Sequence, residues 1–310
     1  MINQPKISII IVNYNGQSFL ADCLESVFRS DYPNFEVILV DNCSNDESIN
    51  IVKNKFNDIK IIINKKNLGF AKANNIGIKQ ADGEAYLLLN NDTIIHPELI
   101  TKLSSELFSS KNIGIVGPKI YFLEKNKDLE NQKIIWFAGG KIDWEKAVSW
   151  HIGKDQDDNK YIDQKKEVDF ITGCALMIKK EVVHKIGLLE EKFFAYYEDA
   201  DWCERAKKNN YKIFYISFGG VWHLKSATAS RHIFNSKASK IKIIYEYLAN
   251  LNRLKYNQWY NRFIFYKRWQ PKKYTLRFLI DFIILKTPAF IYSILVLSPI
   301  SLIKIIKKHL

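Results

Sequence analysis

Short apolar runs alternate with amphipathic stretches along the first part of the chain. Each run is nearly continuous, and the runs are residues 7–12, 35–41, 59–63, 85–90 and 113–117. Continuous apolarity is typical of strands that a parallel sheet buries on both faces. Between the runs, apolar residues recur at three- and four-residue spacing, as in residues 19–28, which predicts helices. The alternation predicts an α/β fold with an open, doubly wound sheet.

Polar residues directly follow four of the apolar runs. They read NYN at 13–15, DN at 41–42, NKKNLG at 64–69 and NND at 90–92. Asn and Asp are ordinary turn residues, so each of these ends taken alone is also compatible with a simple turn. In a doubly wound sheet, however, ligands bind at the carboxyl ends of the strands. Together the four ends predict one polar crevice.

The segment YLLLNNDTIIHP, residues 86–97, carries the most specific chemistry of this edge. Its Asp92, a carboxylate at the end of a rigid strand with an amide two residues before it, suits Mg²⁺ or Mn²⁺. Such ions take oxygen ligands, and water and a diphosphate can complete the set. The sequence has neither G-x-G-x-x-G after the first strand nor G-x-x-x-x-G-K-[ST], which argues against a dinucleotide oxidoreductase and a P-loop ATPase.

Composition and charge divide the chain into two parts. Of the 310 residues, 47% are hydrophobic, which is enough for a sizeable core. Residues 1–230 carry 30 Lys and Arg against 31 Asp and Glu, whereas residues 231–310 carry 16 against two. The basic part is also rich in aromatic and aliphatic residues, which favours an anionic membrane surface as its partner. We predict no nucleic-acid partner, because no recognised binding module accompanies the charge.

Within the basic part, residues 287–303 contain no charged side chain. A spanning helix needs about 20 apolar residues, and Pro288 and Pro299 interrupt this shorter run. We therefore favour helices that lie in the headgroup region, over a spanning or re-entrant segment and over an ordinary packed subdomain or dimer contact. Residues 7–12 are too few for the core of a signal peptide, so we expect a cytoplasmic protein, peripheral on the inner face of the cell membrane.

Several separated motifs resemble one known family. They are SIIIVNYNG, LADCLESVF, YPNFEVILVDNCSND, NLGFAKANNIGI and YLLLNND, followed by DFITGCALMIKKEVVHKIGLLEEKFFAYYEDADWCERAKKNNYKIFYI at 169–216. In order and spacing they are similar to the family 2 glycosyltransferases over residues 6–230, and to the bacterial rhamnosyltransferase-like subgroup in particular. The resemblance implies the GT-A fold, a doubly wound, mixed but mostly parallel sheet, and sugar transfer from a nucleoside diphosphate.

The resemblance also implies roles for the polar strand ends. Asp41 would recognise the nucleobase, and the other residues on the nucleotide side would be Asn13, Asn15, Asn67, Gly69, Asn74, Asn90 and Asn91. Asn90–Asn91–Asp92 stands where the family has a D-x-D metal motif, with Asn90 in place of the first Asp. Asp92 would ligate Mg²⁺ or Mn²⁺, His223 would complete the metal site, and Asn90 would be a neutral partner or a ribose contact.

The segment YYEDADWCER, residues 196–205, has three carboxylates within four positions before a predicted helix. The helix dipole alone favours an acidic first turn. Inverting sugar transfer also needs a carboxylate that takes the proton from the acceptor hydroxyl, and clustered carboxylates raise one another's pKa. The resemblance points to Asp199 as this base, with Glu198 as an acceptor contact or second candidate.

Two further segments keep two interpretations each. Thr172 and Gly173, in FITGCALM, are implied by the resemblance to lie near the donor sugar, although a tight turn before a strand explains the same pattern. Residues 121–167 look like an insertion on the acceptor side. The insertion contains Trp136, Trp144 and Trp150. Their rings either contact acceptor sugars or pin a β-hairpin.

We interpret residues 1–230 as a GT-A nucleotide-sugar transferase domain and residues 231–310 as a helical, membrane-associating tail. The enzyme would be inverting and metal-dependent, and would move rhamnose or a similar hexose from a dTDP- or UDP-linked donor. Its acceptor would be lipid-linked or a growing cell-surface polysaccharide. Two alternatives stay open: a catalytically weak relative that binds glycans or partner enzymes, which Asn90 suggests, and a nucleotidyltransferase, for which NYNGQS at 13–18 is a poor phosphate loop.

Overall fold

The computed structural model describes residues 4–123, 129, 133–160, 164–224 and 258–280. The strands are β1 Ile7–Asn13, β2 Phe35–Asp41, β3 Ile59–Ile63, β4 Ala85–Asn90, β5 Thr93–Ile95, β6 Ile113–Leu123, β7 Ile135–Phe137, β8 Gly140–Asp143, β9 Val148–His151, β10 Lys166–Glu167, β11 Ala175–Lys179 and β12 Lys212–Leu224. The helices are α1 Leu20–Phe28, α2 Ser48–Lys55, α3 Phe70–Lys79, α4 Leu99–Phe108, α5 Lys180–Ile186, α6 Glu198–Lys208, α7 at residues 258–269, and α8 Thr275–Ile280. All five apolar runs of the sequence are strands.

Strands β1 to β4 form a parallel section of the main sheet, in the order β4-β1-β2-β3. Ile9, Ile10 and Ile11 of β1 have no exposed surface, as expected for an inner strand covered on both faces. β1 pairs in register with both neighbours, so that Asn13 lies opposite Asp41. The polar ends of β1, β2 and β4 therefore meet at one edge.

The remaining strands make the sheet mixed. β11 lies between β4 and β6 and runs antiparallel to both, while β12 runs parallel to β6. Ala175 lies opposite Leu89, which brings the turn before β11 to the carboxyl end of β4. β5 pairs with the end of β12, so that His223 lies opposite Thr93. The α/β fold class is confirmed, and the antiparallel additions bring two more chain segments to the polar edge.

Helix α1 illustrates how apolar spacing sets the core. Leu20, Cys23, Leu24 and Val27 are buried at three- and four-residue spacing. Burial raises the pKa of the Cys23 thiol to about 12, so this side chain packs as a neutral apolar group. All four cysteines are free thiols, in keeping with their scattered positions.

Residue contacts divide the chain into two compact units. The first unit comprises Met1–Lys141 and Ser149–Lys225, and the second comprises Ile142–Val148 and Ser226–Leu310. β8 and β9 form a two-stranded hairpin, and its tip belongs to the second unit.

Within the second unit, the hairpin tip packs on α7. The Trp144 ring stacks on Phe265 with centroids 5.8 Å apart, and the Gln270 amide donates to the Trp144 carbonyl. Arg262 Nε donates to the Ala147 carbonyl at 2.9 Å. Trp144 thus pins the hairpin tip through ring packing.

In the described part of the chain, no helix is both long and apolar enough to cross a membrane. The predicted membrane segment, residues 287–303, lies outside the described residues. Its association with a membrane stays a prediction.

Candidate active site

Asn13, at the end of β1, connects three strand ends through its side chain. Its amide nitrogen donates to Asp41 Oδ1 at 3.0 Å, Ser44 Oγ at 3.1 Å and Ser48 Oγ at 2.9 Å. Its amide oxygen accepts from Asn91 Nδ2 at 2.8 Å. Asn13 is completely buried, so it holds the edge together from inside. Both ends of the amide are occupied by protein groups.

Asp41 and Asn15 fix the loop after β2. The Asp41 carboxylate accepts from the Ser44 backbone N–H at 3.0 Å and from the Ser44 hydroxyl at 2.5 Å. Asn15, in the left-handed region with φ of 54°, accepts the Asn45 N–H through its side-chain oxygen at 2.9 Å. Both side chains shape the predicted nucleobase edge, and direct nucleobase recognition by Asp41 stays a prediction.

Asn42 is a site residue that the sequence interpretation did not single out. Its side-chain nitrogen donates to Asn67 Oδ1 at 2.9 Å and to the Gly69 carbonyl at 3.2 Å, and its oxygen accepts the Leu68 N–H at 2.9 Å. Asn42 is buried and therefore sets the conformation of the loop at 64–69. The available signal was its position directly after Asp41, at a polar strand end.

The loop ends at Gly69, where a glycine is required. Its φ is 82°, and a Cβ there would lie 2.5 Å from the Phe194 carbonyl oxygen. The Phe70 N–H donates to that same oxygen at 2.7 Å, so the loop before α6 rests on the start of α3. Asn74 donates to the Phe70 carbonyl inside its own helix at 3.0 Å, and its role beside the nucleotide stays a prediction. Asn67 and Gly69 thus lie in the loop, whereas Asn74 braces α3.

The predicted metal motif lies where β4, β5 and β12 meet. His223 Nε2 lies 3.2 Å from Asp92 Oδ1, and the Leu224 N–H donates to the Asp92 carbonyl at 3.0 Å. Asn91 is turned away to Asn13. The Asn90 side chain makes no hydrogen bond within the described residues, while its backbone carbonyl accepts from the Thr93 hydroxyl at 2.7 Å. The structure therefore brings Asp92 and His223 together, with Asn90 beside them.

The Asp92–His223 pair fits a divalent cation. Asp92 Oδ1 is buried and has no hydrogen bond within the described residues, although the imidazole nitrogen faces it at 3.2 Å. This separation is compatible with an ion pair and also with two ligands of one ion. The described residues contain no group of three or more His, Cys, Asp or Glu side chains that could hold a metal. Protein would thus supply two ligands, which is compatible with an ion that shares a diphosphate.

The carboxylates of α6 follow a strained turn. Tyr196 and Tyr197 both have positive φ, 77° and 73°, which is unusual for residues other than glycine. This turn starts α6 at Glu198. Asp199 Oδ2 accepts the Gly173 N–H at 2.9 Å, and Oδ1 accepts the Ala200 N–H at 2.7 Å.

The two adjacent carboxyls differ in their environment. Burial, and to a lesser degree the charge of Asp199, raises the pKa of Glu198 well above its ordinary value. Glu198 Oε2 is buried without a hydrogen-bond partner within the described residues. Burial also raises the pKa of Asp199, but hydrogen bonds from the Gly173 and Ala200 N–H groups and from Thr172 oppose this effect. Burial thus favours the protonated form of Glu198, whereas hydrogen bonds stabilise the anion of Asp199.

The turn before β11 joins the carboxylates to the metal motif. The Asn90 N–H donates to the Cys174 carbonyl at 2.9 Å, and the preceding residue, Gly173, donates to Asp199. A Cβ at Gly173 would lie 2.9 Å from the Phe70 ring. Thr172 and Gly173 thus contact the proposed base, and whether they also contact a donor sugar stays a prediction.

The insertion contributes two aromatic residues beside the metal motif. The Trp136 ring lies 4.6 Å from the His223 ring and 4.7 Å from the His151 ring, between centroids. Burial lowers the pKa of His151 to about 4, so His151 is neutral at pH 7. Trp150, by contrast, is 46% exposed. Nothing in the sequence pattern distinguished Trp136 from the other two tryptophans.

Comparison with known proteins identifies the family of the chain. The model of the family described as Glycosyl transferase family 2 matches residues 8–187, more than half of the chain. The chain belongs to this family. The low-salt glycan biosynthesis hexosyltransferase Agl10 of Haloferax volcanii is 30% identical over 214 residues, 67% of this chain and 63% of that protein. The chain spans 54% to 63% of the length of three curated relatives that it matches.

Two solved structures show the same fold. GalNAc-T7 with UDP, GalNAc and Mn²⁺ matches with a TM-score of 0.58 and 17% identity, over 73% of this chain and 45% of that chain. Residues 1–349 of Staphylococcus aureus TarS in complex with UDP-GlcNAc match with a TM-score of 0.56 and 18% identity, over 94% of this chain and 76% of that chain. The fold is of the GT-A type. At these identities, the likeness concerns the fold alone.

Proposed function

We propose that the protein is an inverting glycosyltransferase that moves a hexose from a nucleoside-diphosphate donor to a hydroxyl of a glycan acceptor. One observation carries the proposal: the Asp92–His223 pair and the Asp199 carboxylate occupy one edge of the sheet, joined through the turn at Gly173. Membership of the family supports sugar transfer, and Agl10 is described as a hexosyltransferase.

Asp199 acts as the general base in this proposal. Its carboxylate is fixed by the Gly173 and Ala200 N–H groups, and its raised pKa makes it a stronger base than an exposed aspartate. It takes the proton of the acceptor hydroxyl while that oxygen bonds to the anomeric carbon and the bond to the diphosphate breaks. Burial favours the protonated form of Glu198, so we assign it to hydrogen bonding with the acceptor.

Asp92 and His223 hold Mn²⁺ or Mg²⁺ in this proposal. A carboxylate oxygen with an imidazole nitrogen favours Mn²⁺, because Mg²⁺ prefers oxygen ligands alone. When bound, the cation offsets the charge that develops on the departing diphosphate. Asn90 adds no charge, and its amide is available to the ribose or the diphosphate. The GalNAc-T7 structure contains UDP and Mn²⁺, which supports the use of a divalent cation.

The donor and acceptor follow from the subgroup resemblance and from the tail. We propose a dTDP- or UDP-linked donor carrying rhamnose or a similar hexose. The acceptor is a lipid-linked or growing cell-surface polysaccharide, and the enzyme lies on the cytoplasmic face of the membrane.

The described tail residues support a membrane-facing role. Residues 258–280 carry six Lys and Arg and no Asp or Glu. Leu276 is 71% exposed and Ile280, one helical turn later, is 47% exposed. Exposed apolar side chains among cations are typical of helices that lie on anionic lipid. We therefore propose peripheral attachment through this surface.

A second candidate function is a catalytically weak relative that binds glycans or partner enzymes. Asn90 favours it, because this residue replaces a charge of the family's metal motif. The two functions differ in whether metal and a sugar nucleotide are used.

The test is binding of UDP, dTDP and GDP, with their sugar conjugates, measured by calorimetry with and without Mn²⁺. The wild type should bind one nucleotide series in a way that depends on both Mn²⁺ and Asp92, and Asp92→Ala should lose that dependence. Asp58→Ala is the matched control, because Asp58 is an exposed carboxylate. Binding that ignores Mn²⁺ and Asp92 would support the weak relative, and no binding at all would contradict a transferase.

A further inference from the structure

We propose that Trp136, on β7 of the insertion, is a positioning residue that holds the His223 imidazole in its ligating orientation. This inference rests on the proposed function, since it assumes that His223 binds the metal. It also gives the insertion a role in the metal site, where the sequence suggested only acceptor contact or hairpin packing.

The first argument is the placement of the two rings. Trp136 lies on β7, which pairs with β6, and β6 pairs with β12 so that Phe122 lies opposite His223. The rings of Trp136 and His223 are 4.6 Å apart between centroids, at an angle of 59°. His223 Nε2 faces Asp92 Oδ1 at 3.2 Å at the same time. The Trp136 indole therefore contacts the His223 imidazole while the imidazole Nε2 faces the Asp92 carboxylate.

The second argument is that His223 lacks the usual support of a ligating histidine. Such a histidine generally donates its other ring N–H to an acceptor, which fixes the ring and its tautomer. Within the described residues, His223 has no hydrogen bond from Nδ1, and its side chain contacts Asp92 and Trp136. Ring packing against the indole takes the place of that hydrogen bond.

The third argument is that Trp136 is itself held in place. The His151 ring lies 4.7 Å from the indole at 78°, and His151 Nδ1 lies 3.3 Å from the Trp136 carbonyl oxygen. The carbonyl can only accept, so Nδ1 carries the proton. His151 packs edge-on against Phe137 at 5.0 Å and against Phe170 at 6.2 Å. His151 is thus held on several sides, and it in turn supports the indole that contacts His223.

The test measures Mn²⁺ affinity by electron paramagnetic resonance, with saturating UDP, dTDP or GDP, whichever the wild type binds best. Removal of a residue that orients a metal ligand costs about 10- to 100-fold in metal affinity. We expect Trp136→Ala to weaken Mn²⁺ binding by about 10-fold, and Trp136→Phe, which keeps an aromatic ring, to stay within about threefold of the wild type. Trp150→Ala is the matched control and should leave Mn²⁺ affinity unchanged, because Trp150 is exposed.

Two further measurements separate positioning from a general loss of structure. Trp136→Ala should raise the Mn²⁺ concentration needed for half-maximal activity while kcat at saturating Mn²⁺ stays within about threefold, and thermal melting reports folding. The double variant Trp136→Ala/His223→Ala should bind Mn²⁺ no more weakly than His223→Ala alone, since Trp136 acts through His223.

The outcomes distinguish this inference from the proposed function. If Asp92→Ala and His223→Ala leave Mn²⁺ binding unchanged, there is no metal site here and both ideas are overturned. If those variants lose Mn²⁺ but a folded Trp136→Ala variant binds it like the wild type, only the positioning role is wrong. Additive losses in the double variant would also overturn it.

Discussion

The two adjacent carboxyls at the start of α6 should respond differently to loss of their charge. Asp199→Asn removes the proposed base, whereas Glu198→Gln replaces a carboxyl whose protonated form burial favours with a neutral group of similar shape. Asp199 accepts the Gly173 N–H at 2.9 Å and the Ala200 N–H at 2.7 Å through different oxygens. An Asn side chain has one oxygen, so it also loses one of these hydrogen bonds.

The expected magnitudes follow from these contacts. Loss of a general base lowers kcat by roughly 10²- to 10⁴-fold, equivalent to about 2.7–5.5 kcal/mol of activation free energy. The lost hydrogen bond to a charged acceptor adds about 1.5–3 kcal/mol of destabilisation to Asp199→Asn. Glu198→Gln should keep kcat within about 10-fold of the wild type, because general-base catalysis is retained.

Stability should show the same difference as a function of pH. The folded-state pKa of Glu198 lies well above its ordinary value of 4.5. The raised pKa of Glu198 therefore contributes stability that is fully present below pH 4.5. This stability is lost as pH rises through the folded-state pKa. Glu198→Gln cannot ionise, so its melting temperature relative to the wild type should rise as pH increases from about 4.5 towards the folded-state pKa of Glu198.

The assay follows release of the nucleoside diphosphate from the donor identified by binding, with circular dichroism for folding and melting. A Glu198→Gln variant that is folded but inactive, together with an active Asp199→Asn variant, would show that the base is assigned to the wrong residue. A melting difference that does not change with pH would show that Glu198 ionises as readily in the folded protein as in the unfolded chain.

Three further predictions concern the nucleotide loop, the insertion and the tail. Gly69→Ala should lower the free energy of unfolding by about 2 kcal/mol, because the residue has positive φ and the new Cβ would approach the Phe194 carbonyl. Urea denaturation measures this, and an unchanged midpoint of the urea unfolding curve would contradict it. Lys119→Met should lower the free energy of unfolding by about 3 kcal/mol in the same assay, because Asp158 loses its cation at a largely buried site. The double variant Lys119→Met/Asp158→Asn should recover part of that loss, because it also removes the unpaired charge. Leu276→Asp should reduce binding of the full chain to anionic vesicles at least fivefold in sedimentation, with neutral vesicles as the control, and equal binding by variant and wild type would exclude this surface.

Much of the fold was predictable because it depends on local pattern. Continuous apolar runs identified β1 to β4 and the start of β6, since burial on both faces leaves little room for polar residues. The position of β11 was not predictable, because its pairing with β4 and β6 joins residues far apart in sequence. Strand direction and register across such distances are set by tertiary packing, and the apolar period of a single strand does not encode them.

The sequence predicted which residues lie at the site better than it predicted what their side chains do there. Asn13 and Asp41 stand at the predicted edge, but protein donors and acceptors already occupy their side chains, which no single-sequence pattern reveals. The sequence pattern does not distinguish Asn42 from Asp41 before it, because a strand end offers several polar residues and the fold selects among them. Trp136 required the pairing of the insertion with β6 before its contact with His223 became visible.

The packing of the hairpin tip on α7 bears on how the chain folds during synthesis. Arg262, which holds the tip through the Ala147 carbonyl, follows that residue by 115 positions. At a synthesis rate of about 5–20 residues per second, roughly 6–23 s pass between synthesis of the hairpin tip and synthesis of the helix that packs on it. A chain ending near residue 225 would never acquire Phe265 and would keep that indole without its stacking partner. Shortened forms should therefore aggregate more readily, even where their sheet is intact.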